Sequence, residues 1–249
     1  MPNSLPILIV GGFGVSWQFY RPFKQVLTTV SGRPTFIAPL ALIDWLGVVG
    51  SGEYSALLRR LDRSVDEVLA VTGRSQVLMI GHSAGGILAR IFLGDQPYGR
   101  NRLVFNGFQR VATLVTLGTP HNAAHGGRIG GRDQIMFAQQ TYPGAYWRFL
   151  RYVTVMGRAI RGAGKGTLRQ RNAYQSYAMI AGRGDLWGDG VVPLDYGLLE
   201  GAEQVILEGI YHDARPEQRW YGQDEDAILS WWQVVETVER EPARSMRRA

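Results

Sequence analysis

The stretch QVLMIGHSAGGILAR, residues 76–90, decides how the rest of the chain is read. Four apolar residues, 77–80, run straight into Gly81, and a helix-forming pattern restarts at Ala84. A short continuous apolar run is how a strand buried on both faces of a parallel sheet reads. Residues 81–85 fit G-x-S-x-G, which places a serine on a strand-to-helix turn tight enough to strain its backbone. The residues two before and two after it must then be nearly free of side chain. Gly86 adds room. A serine here could be an ordinary helix N-cap. The strand–turn–helix setting favours a nucleophile, held where helix N-terminal N–H groups point toward developing negative charge.

A serine hydroxyl at neutral pH needs a base, and the base needs an orienting carboxylate. On a corner of this kind the order is serine, acid, histidine, each after a later strand. The chain has four histidines. His82 stands beside the serine on the wrong side of the turn, and His121 and His125 precede every acid after the fifth expected strand. His212, directly after EQVILEGIYH (203–212), is the expected base. For the acid, GRGDLWGDGVVPLDYG (182–197) offers Asp185, Asp189 and Asp195. Asp189, between two glycines, is favoured; Asp185 comes next, and Asp213 beside the histidine is the weakest. In IVGGFGVS (9–16), Gly11 and Gly12 let backbone approach a substrate, and the Phe13 N–H joins that of Ala84 as an expected oxyanion donor. GGFG is not G-x-G-x-x-G, no acid follows at the required spacing and no P-loop lysine is present, so a dinucleotide reading is set aside.

Around this corner, apolar runs at 7–10, 35–38, 77–80, 114–117, 177–181 and 205–207 read as strands. Helical patterns cover 16–30, with Ser16 as N-cap, then 53–71, 84–93 and 224–239. Asp224, Glu225 and Asp226 suit the first turn of the last one. The alternation predicts a single α/β domain over 1–249, a mostly parallel sheet with helices on both faces. Residues 122–175 show no strand and a helical stretch at 145–160, so they read as a largely helical lid inserted over one end of the sheet. The tail EREPARSMRRA (239–249) reads as frayed.

Hydrophobic residues at 45% and aromatics at 11% are enough for a sizeable core. The absence of cysteine excludes disulfides, thiolate metal ligation and a thiol nucleophile, and a reducing compartment fits best. The N-terminus lacks a basic leader, and no run approaches the ~18 apolar residues of a membrane span. A soluble cytoplasmic protein is expected, with peripheral membrane contact as an option. The net charge is +6, and 122–175 alone holds nine Lys or Arg against one acid, Asp133. Interleaved with aromatics, those charges suit an anionic lipid surface. They equally suit a solvated helical face over an aromatic core. No nucleic-acid-binding module accompanies them, so no nucleic-acid partner is expected.

ILIVGGFG, IGHSAGG, VTLGTPH (115–121) and GDGVVP, followed by a late histidine, run in this order from residue 7 to 212. With them the chain resembles the α/β-hydrolase superfamily, specifically its lipase-like serine esterases. LGTPH is similar to relatives of the enzyme that deacylates the inositol of GPI anchors. YPGAYW and GIYHDARPEQRWYG resemble a group of cyanobacterial and plastid-type hydrolases. The resemblance implies the α/β-hydrolase fold and hydrolysis of carboxylic esters, of lipids or other apolar acyl groups, without metal or cofactor. Ser83, Asp189 and His212 correspond to the triad, and Phe13 and Ala84 to the oxyanion donors. Gly12, His82, His121 and Trp147 fall on the substrate-binding side, with packing beneath the site as the other role for His121. Many relatives carry a His-Gly pair where this chain has Gly11 and Gly12. A thioesterase or acyltransferase would use the same acyl-enzyme, and a non-catalytic binding protein is the third reading.

Overall fold

A computed structural model describes residues 4–124 and 132–241. Its first five strands are β1 (Ile7–Val10), β2 (Thr35–Ile37), β3 (Val77–His82), β4 (Val111–Leu117) and β5 (Arg151–Arg158). The two-residue β6 (Ile160–Arg161) and β7 (Trp187–Gly188) follow, then β8 (Glu203–Glu208), β9 (Ile210–Tyr211) and β10 (Arg219–Trp220). Six of them make one parallel sheet in the order β2-β1-β3-β4-β5-β8. The helices are α1 (Arg21–Ser31), α2 (Leu42–Ser51), α3 (Ser55–Thr72), α4 (Ala84–Phe92), α5 (Arg132–Thr141), α6 (Leu168–Ala181), α7 (Leu194–Gly197) and α8 (Glu225–Arg240).

The two-residue period of a strand sorts its side chains between two cores. Leu8, Val10, Val77 and Met79 pack with Trp45 of α2, Leu61 of α3 and Ile87 of α4. Ile7, Ile9, Leu78 and Ile80 pack with Phe23 and Leu27 of α1 and Trp231 of α8. Covered on both faces, these strands are continuously apolar in sequence, and each such side chain contributes roughly 1.5–3 kcal/mol by leaving water. The chain moves from β1 outward to β2, then crosses back to β3 on the other side of β1. Between β1 and β3 the order reverses, and in open parallel sheets that point opens a crevice at the strands' carboxyl ends.

Two expected elements exchange places. Residues 177–181 are the last turns of α6 and not a strand. A short apolar run fits either state, and here Thr167 and Gln170 form a capping box upstream while Gly182, at φ 75°, ends the helix. The fifth sheet strand is β5, within the stretch expected to be helical at 145–160. Its Tyr152, Val153, Thr154 and Val155 favour the pleated state, and all are buried. Residues 122–175 are therefore not strand-free: they place β5 between β4 and β8. Two of their charges stand well apart. Arg151 and Arg158 occupy opposite ends of β5; the first donates to the Val238 carbonyl and the second to Glu208. The aromatics form a core cluster, with Trp147 stacked on Phe108 at 4.1 Å.

Smaller differences follow local chemistry. Residues 17–20 form a 3-10 turn before α1, and Ser16 bonds the Gln18 side chain without capping the backbone. α2 answers to no expected element. Asp224 does cap α8, accepting from the Ala227 N–H at 2.8 Å. Among the described residues no helix is long and apolar enough to cross a membrane. His125 and most of the 239–249 tail lie outside the described residues.

Candidate active site

Ser83 stands where β3 turns into α4, with φ 53° and ψ −129°. A non-glycine residue in that region costs on the order of 1–3 kcal/mol, which the surrounding packing must offset. The neighbouring glycines show how. A Cβ on Gly81 would lie 2.5 Å from the Gly86 Cα, and one on Gly85 would run into the Val10 carbonyl. One on Gly86 would strike Thr119, whose hydroxyl donates to the Ser83 carbonyl at 2.9 Å. The Ser83 side chain makes no capping bond, so the plain N-cap reading fails.

The Ser83 hydroxyl instead meets His212, Oγ to Nε2 at 2.9 Å, and His212 Nδ1 lies 2.7 Å from Asp189 Oδ2. The carboxylate accepts at Nδ1–H, so Nε2 is the free acceptor for the serine proton. Asp189 is fully inside the protein. Its Oδ1 accepts from the Val191 and Val192 N–H groups at 3.0 and 2.7 Å, and its Oδ2 also accepts from the Tyr221 hydroxyl at 2.8 Å. Burial alone would raise the carboxyl's pKa. The facing His212 and these donors reverse that and hold it below the ordinary carboxylate value. Burial likewise pulls His212 down, but the Asp189 charge and hydrogen bond leave it above the usual histidine value. The Tyr221 hydroxyl is kept protonated by burial and by the adjacent carboxylate, and accepts in turn from the Gly157 N–H at 2.8 Å.

The competing acids lie elsewhere. Asp185 is exposed and paired with Arg183, Asp213 pairs with Arg215, and Asp195 sits in the first turn of α7. Gly12 lies against the serine, where a Cβ would come 2.8 Å from the Ser83 Cβ. Phe13 and Ala84 share with Ser83 the lining of a cavity of about 200 Å³, closed further by Ile87, Ile135, Met179 and Val192.

None of the four expected substrate contacts is in that lining: Gly12 packs on Ser83 itself, and the other three lie further away. His82 is buried, its Nδ1 2.8 Å from the Tyr20 hydroxyl and its Nε2 3.1 Å from the His212 carbonyl. His121 is also buried, with Nε2 2.8 Å from the Thr116 hydroxyl and Arg90 donating to its carbonyl at 3.1 Å. Burial and that guanidinium keep the His121 ring neutral. Packing, its other expected role, is what the structure gives it. Trp147 belongs to the aromatic cluster. Sequence reasoning missed Tyr20, Thr119, Tyr221 and Arg90. Arg90 crosses from α4 to accept-only partners at the end of α5, donating to the Ala138 and Tyr142 carbonyls at 3.2 and 2.6 Å. Thr119, Tyr221 and Arg90 stand in stretches that were singled out, LGTPH, RWYG and QVLMIGHSAGGILAR, and no spacing rule marks any of them.

A parallel sheet with a reversal between β1 and β3, a strained serine at the β3–α4 corner, and helices on both faces define the α/β-hydrolase fold. Residues 60–154 match the family described as the PGAP1-like alpha/beta domain, a span that holds the Ser83 corner and stops before Asp189 and His212. No curated protein sequence matches the chain. Among solved structures, the mature form of the Bacillus licheniformis lipase BlEst2 is similar, with 17% identity and TM-score 0.60 over 96% of this chain and 93% of that one. An alpha/beta superfamily hydrolase from Oenococcus oeni PSU-1 follows with 11% identity and TM-score 0.53, covering 96% and 94%. The 2-hydroxy-6-oxo-6-phenylhexa-2,4-dienoate hydrolase of Rhodococcus sp. strain RHA1 has 12% identity and TM-score 0.53, covering 97% and 92%. What these share with the chain is the fold.

Proposed function

We propose that the protein is a serine hydrolase that cleaves carboxylic esters with apolar acyl groups. The observation that carries the reading is the continuous bond path Ser83 Oγ, His212 and Asp189, anchored on a strained strand-to-helix corner. Ser83 Oγ attacks the ester carbonyl carbon as its proton passes to His212 Nε2. The tetrahedral oxyanion takes hydrogen bonds from the Ala84 and Phe13 N–H groups. His212 then protonates the departing alcohol, leaving an acyl-serine. Water attacks that acyl carbon with His212 again as base, and the acid leaves as Oγ recovers its proton. Asp189 stays ionised throughout, fixing the Nδ1–H tautomer and stabilising the imidazolium.

The cavity supports an apolar acyl group, since no described side chain lining it is charged. α2 supports it further: Leu42, Ile43, Leu46 and Val49 are exposed on one side of the helix, while its Trp45 packs edge-on against Phe13 at 5.7 Å. Hydrolysis of p-nitrophenyl esters by the wild-type chain and by Ser83→Ala tests the reading. The variant should stay folded and fall to the uncatalysed rate; retained activity removes Ser83 from the mechanism.

A further inference from the structure

We infer that Tyr20 and His82 are positioning residues, forming one buried hydrogen-bonded chain that ties the oxyanion loop after β1 to the backbone of His212. The inference rests on the serine-hydrolase reading, because it concerns where that site's donors stand. Three links make the chain. The Gly12 N–H donates to the Tyr20 hydroxyl oxygen at 2.9 Å. Tyr20 and His82 Nδ1 are 2.8 Å apart. His82 Nε2 and the His212 carbonyl are 3.1 Å apart.

The donors sort themselves. A carbonyl oxygen only accepts, so His82 carries its proton on Nε2 and donates. A neutral imidazole then accepts at Nδ1, so the Tyr20 O–H donates there and its oxygen is left for Gly12. One proton serves each link. Burial first, and the nearby His212 second, push the His82 pKa down to about 3, which keeps the ring neutral. A charged His82 would put a second N–H at Nδ1 and turn the Tyr20 hydroxyl around.

Packing shows what the chain controls. The Gly11–Gly12 backbone lies between Tyr20 and the serine: a Cβ on Gly11 would lie 2.5 Å from Tyr20 Cε2, and one on Gly12 2.8 Å from the Ser83 Cβ. Tyr20 therefore sets the height of this loop over Ser83, and with it the place of the next N–H, that of Phe13. Strand parity puts His82 on the same face as Ile80, among Tyr20, Trp220 and Tyr221, where its ring lies 4.9 Å from the His212 ring. It can thus reach both loops without entering the cavity. Oxyanion donor and base come from segments about 200 residues apart in sequence, and this chain fixes them to one another.

The test is a double-mutant cycle of Tyr20→Phe and His82→Leu on p-nitrophenyl butyrate, with affinity for an alkylboronic acid measured in parallel. Removing an oxyanion donor outright costs ~10²–10³ in kcat, and misplacing one costs less. Each single variant should lose about 10–100-fold in kcat with KM within about twofold. The boronate, whose adduct carries the tetrahedral oxygen, should weaken by a similar factor. The double variant should be no worse than the weaker single, since a broken chain cannot be broken twice. His82→Gln, which keeps a donor for the His212 carbonyl, should recover part of the loss. Unchanged kcat, a loss carried by KM, or multiplicative losses would overturn the inference. If His82→Leu does not fold, Tyr20→Phe and His82→Gln decide it on the kcat-against-KM split and the boronate affinity. Wild-type protein that neither turns over esters nor reacts with a fluorophosphonate would show that the serine-hydrolase reading has failed, a separate outcome from unaffected variants of an active enzyme.

Discussion

Replacing Tyr221 with Phe removes a single oxygen that serves two partners. The hydroxyl donates to Asp189 Oδ2 and accepts from the Gly157 N–H, both at 2.8 Å, in a fully buried setting. The variant leaves a buried backbone N–H unsatisfied, which costs about 1–3 kcal/mol. For a chain of this size ~2 kcal/mol lowers Tm by about 4–8 °C. Asp189 also drops from four donors to three, because the Val191 and Val192 N–H groups and His212 Nδ1 remain. A carboxylate with fewer donors attracts an imidazolium more strongly, so the His212 pKa, already above its usual value, moves further up. The reaction needs neutral His212, and activity therefore rises as pH climbs through that pKa. The acid limb of the kcat/KM profile should move to higher pH by about half a unit, or ~0.7 kcal/mol. Calorimetry and a pH–rate profile on a p-nitrophenyl ester measure both. A Tm within about 1 °C of wild type together with an unmoved acid limb would refute the role given to this hydroxyl.

Asp189→Asn should keep the Val191 and Val192 bonds through its carbonyl oxygen but present an N–H to Nδ1, forcing the wrong imidazole tautomer; kcat should fall about 10³–10⁴-fold while circular dichroism shows a folded chain. In an uncharged cavity each added methylene contributes ~0.8 kcal/mol. From p-nitrophenyl acetate to butyrate kcat/KM should therefore rise about 15-fold, measured by steady-state kinetics across a chain-length series. At opposite ends of β5, Arg151 donates to the Val238 carbonyl and Arg158 pairs with Glu208 on the surface. In liposome pull-downs, adding phosphatidylglycerol should change retention by less than about twofold, whereas strong dependence on anionic lipid would assign the 122–175 segment a membrane contact.

Much of the site was readable because steric need writes itself into composition. Gly81, Gly85 and Gly86 are demanded by backbone and Thr119 atoms at the corner, and the continuous apolar runs of β1, β3 and β4 by helices on both faces. Asp189, the carboxylate that meets His212, was read as following a strand at 177–181. Residues 177–181 are helix, yet Asp189 stands over the end of the true strand: a Cβ on Gly157 of β5 would lie 3.1 Å from the Asp189 Cβ. The excursion through β6, α6 and β7 separates strand from acid in sequence while returning the chain to the same place. Tyr20, Tyr221 and Arg90 were illegible because their work depends on partners 62, 32 and 52 residues away, and no local period marks such pairs. Trp147 was misplaced because an aromatic near a basic run reads alike whether it faces a ligand or its own core.

The most direct measurement is mass spectrometry of the protein after reaction with an alkyl fluorophosphonate. The geometry predicts one adduct per chain, on the Ser83 peptide, forming rapidly in wild type and hardly at all in His212→Ala. No adduct, or one on another serine, would mean that the Ser83 hydroxyl, despite its bond to His212, is not the proposed nucleophile.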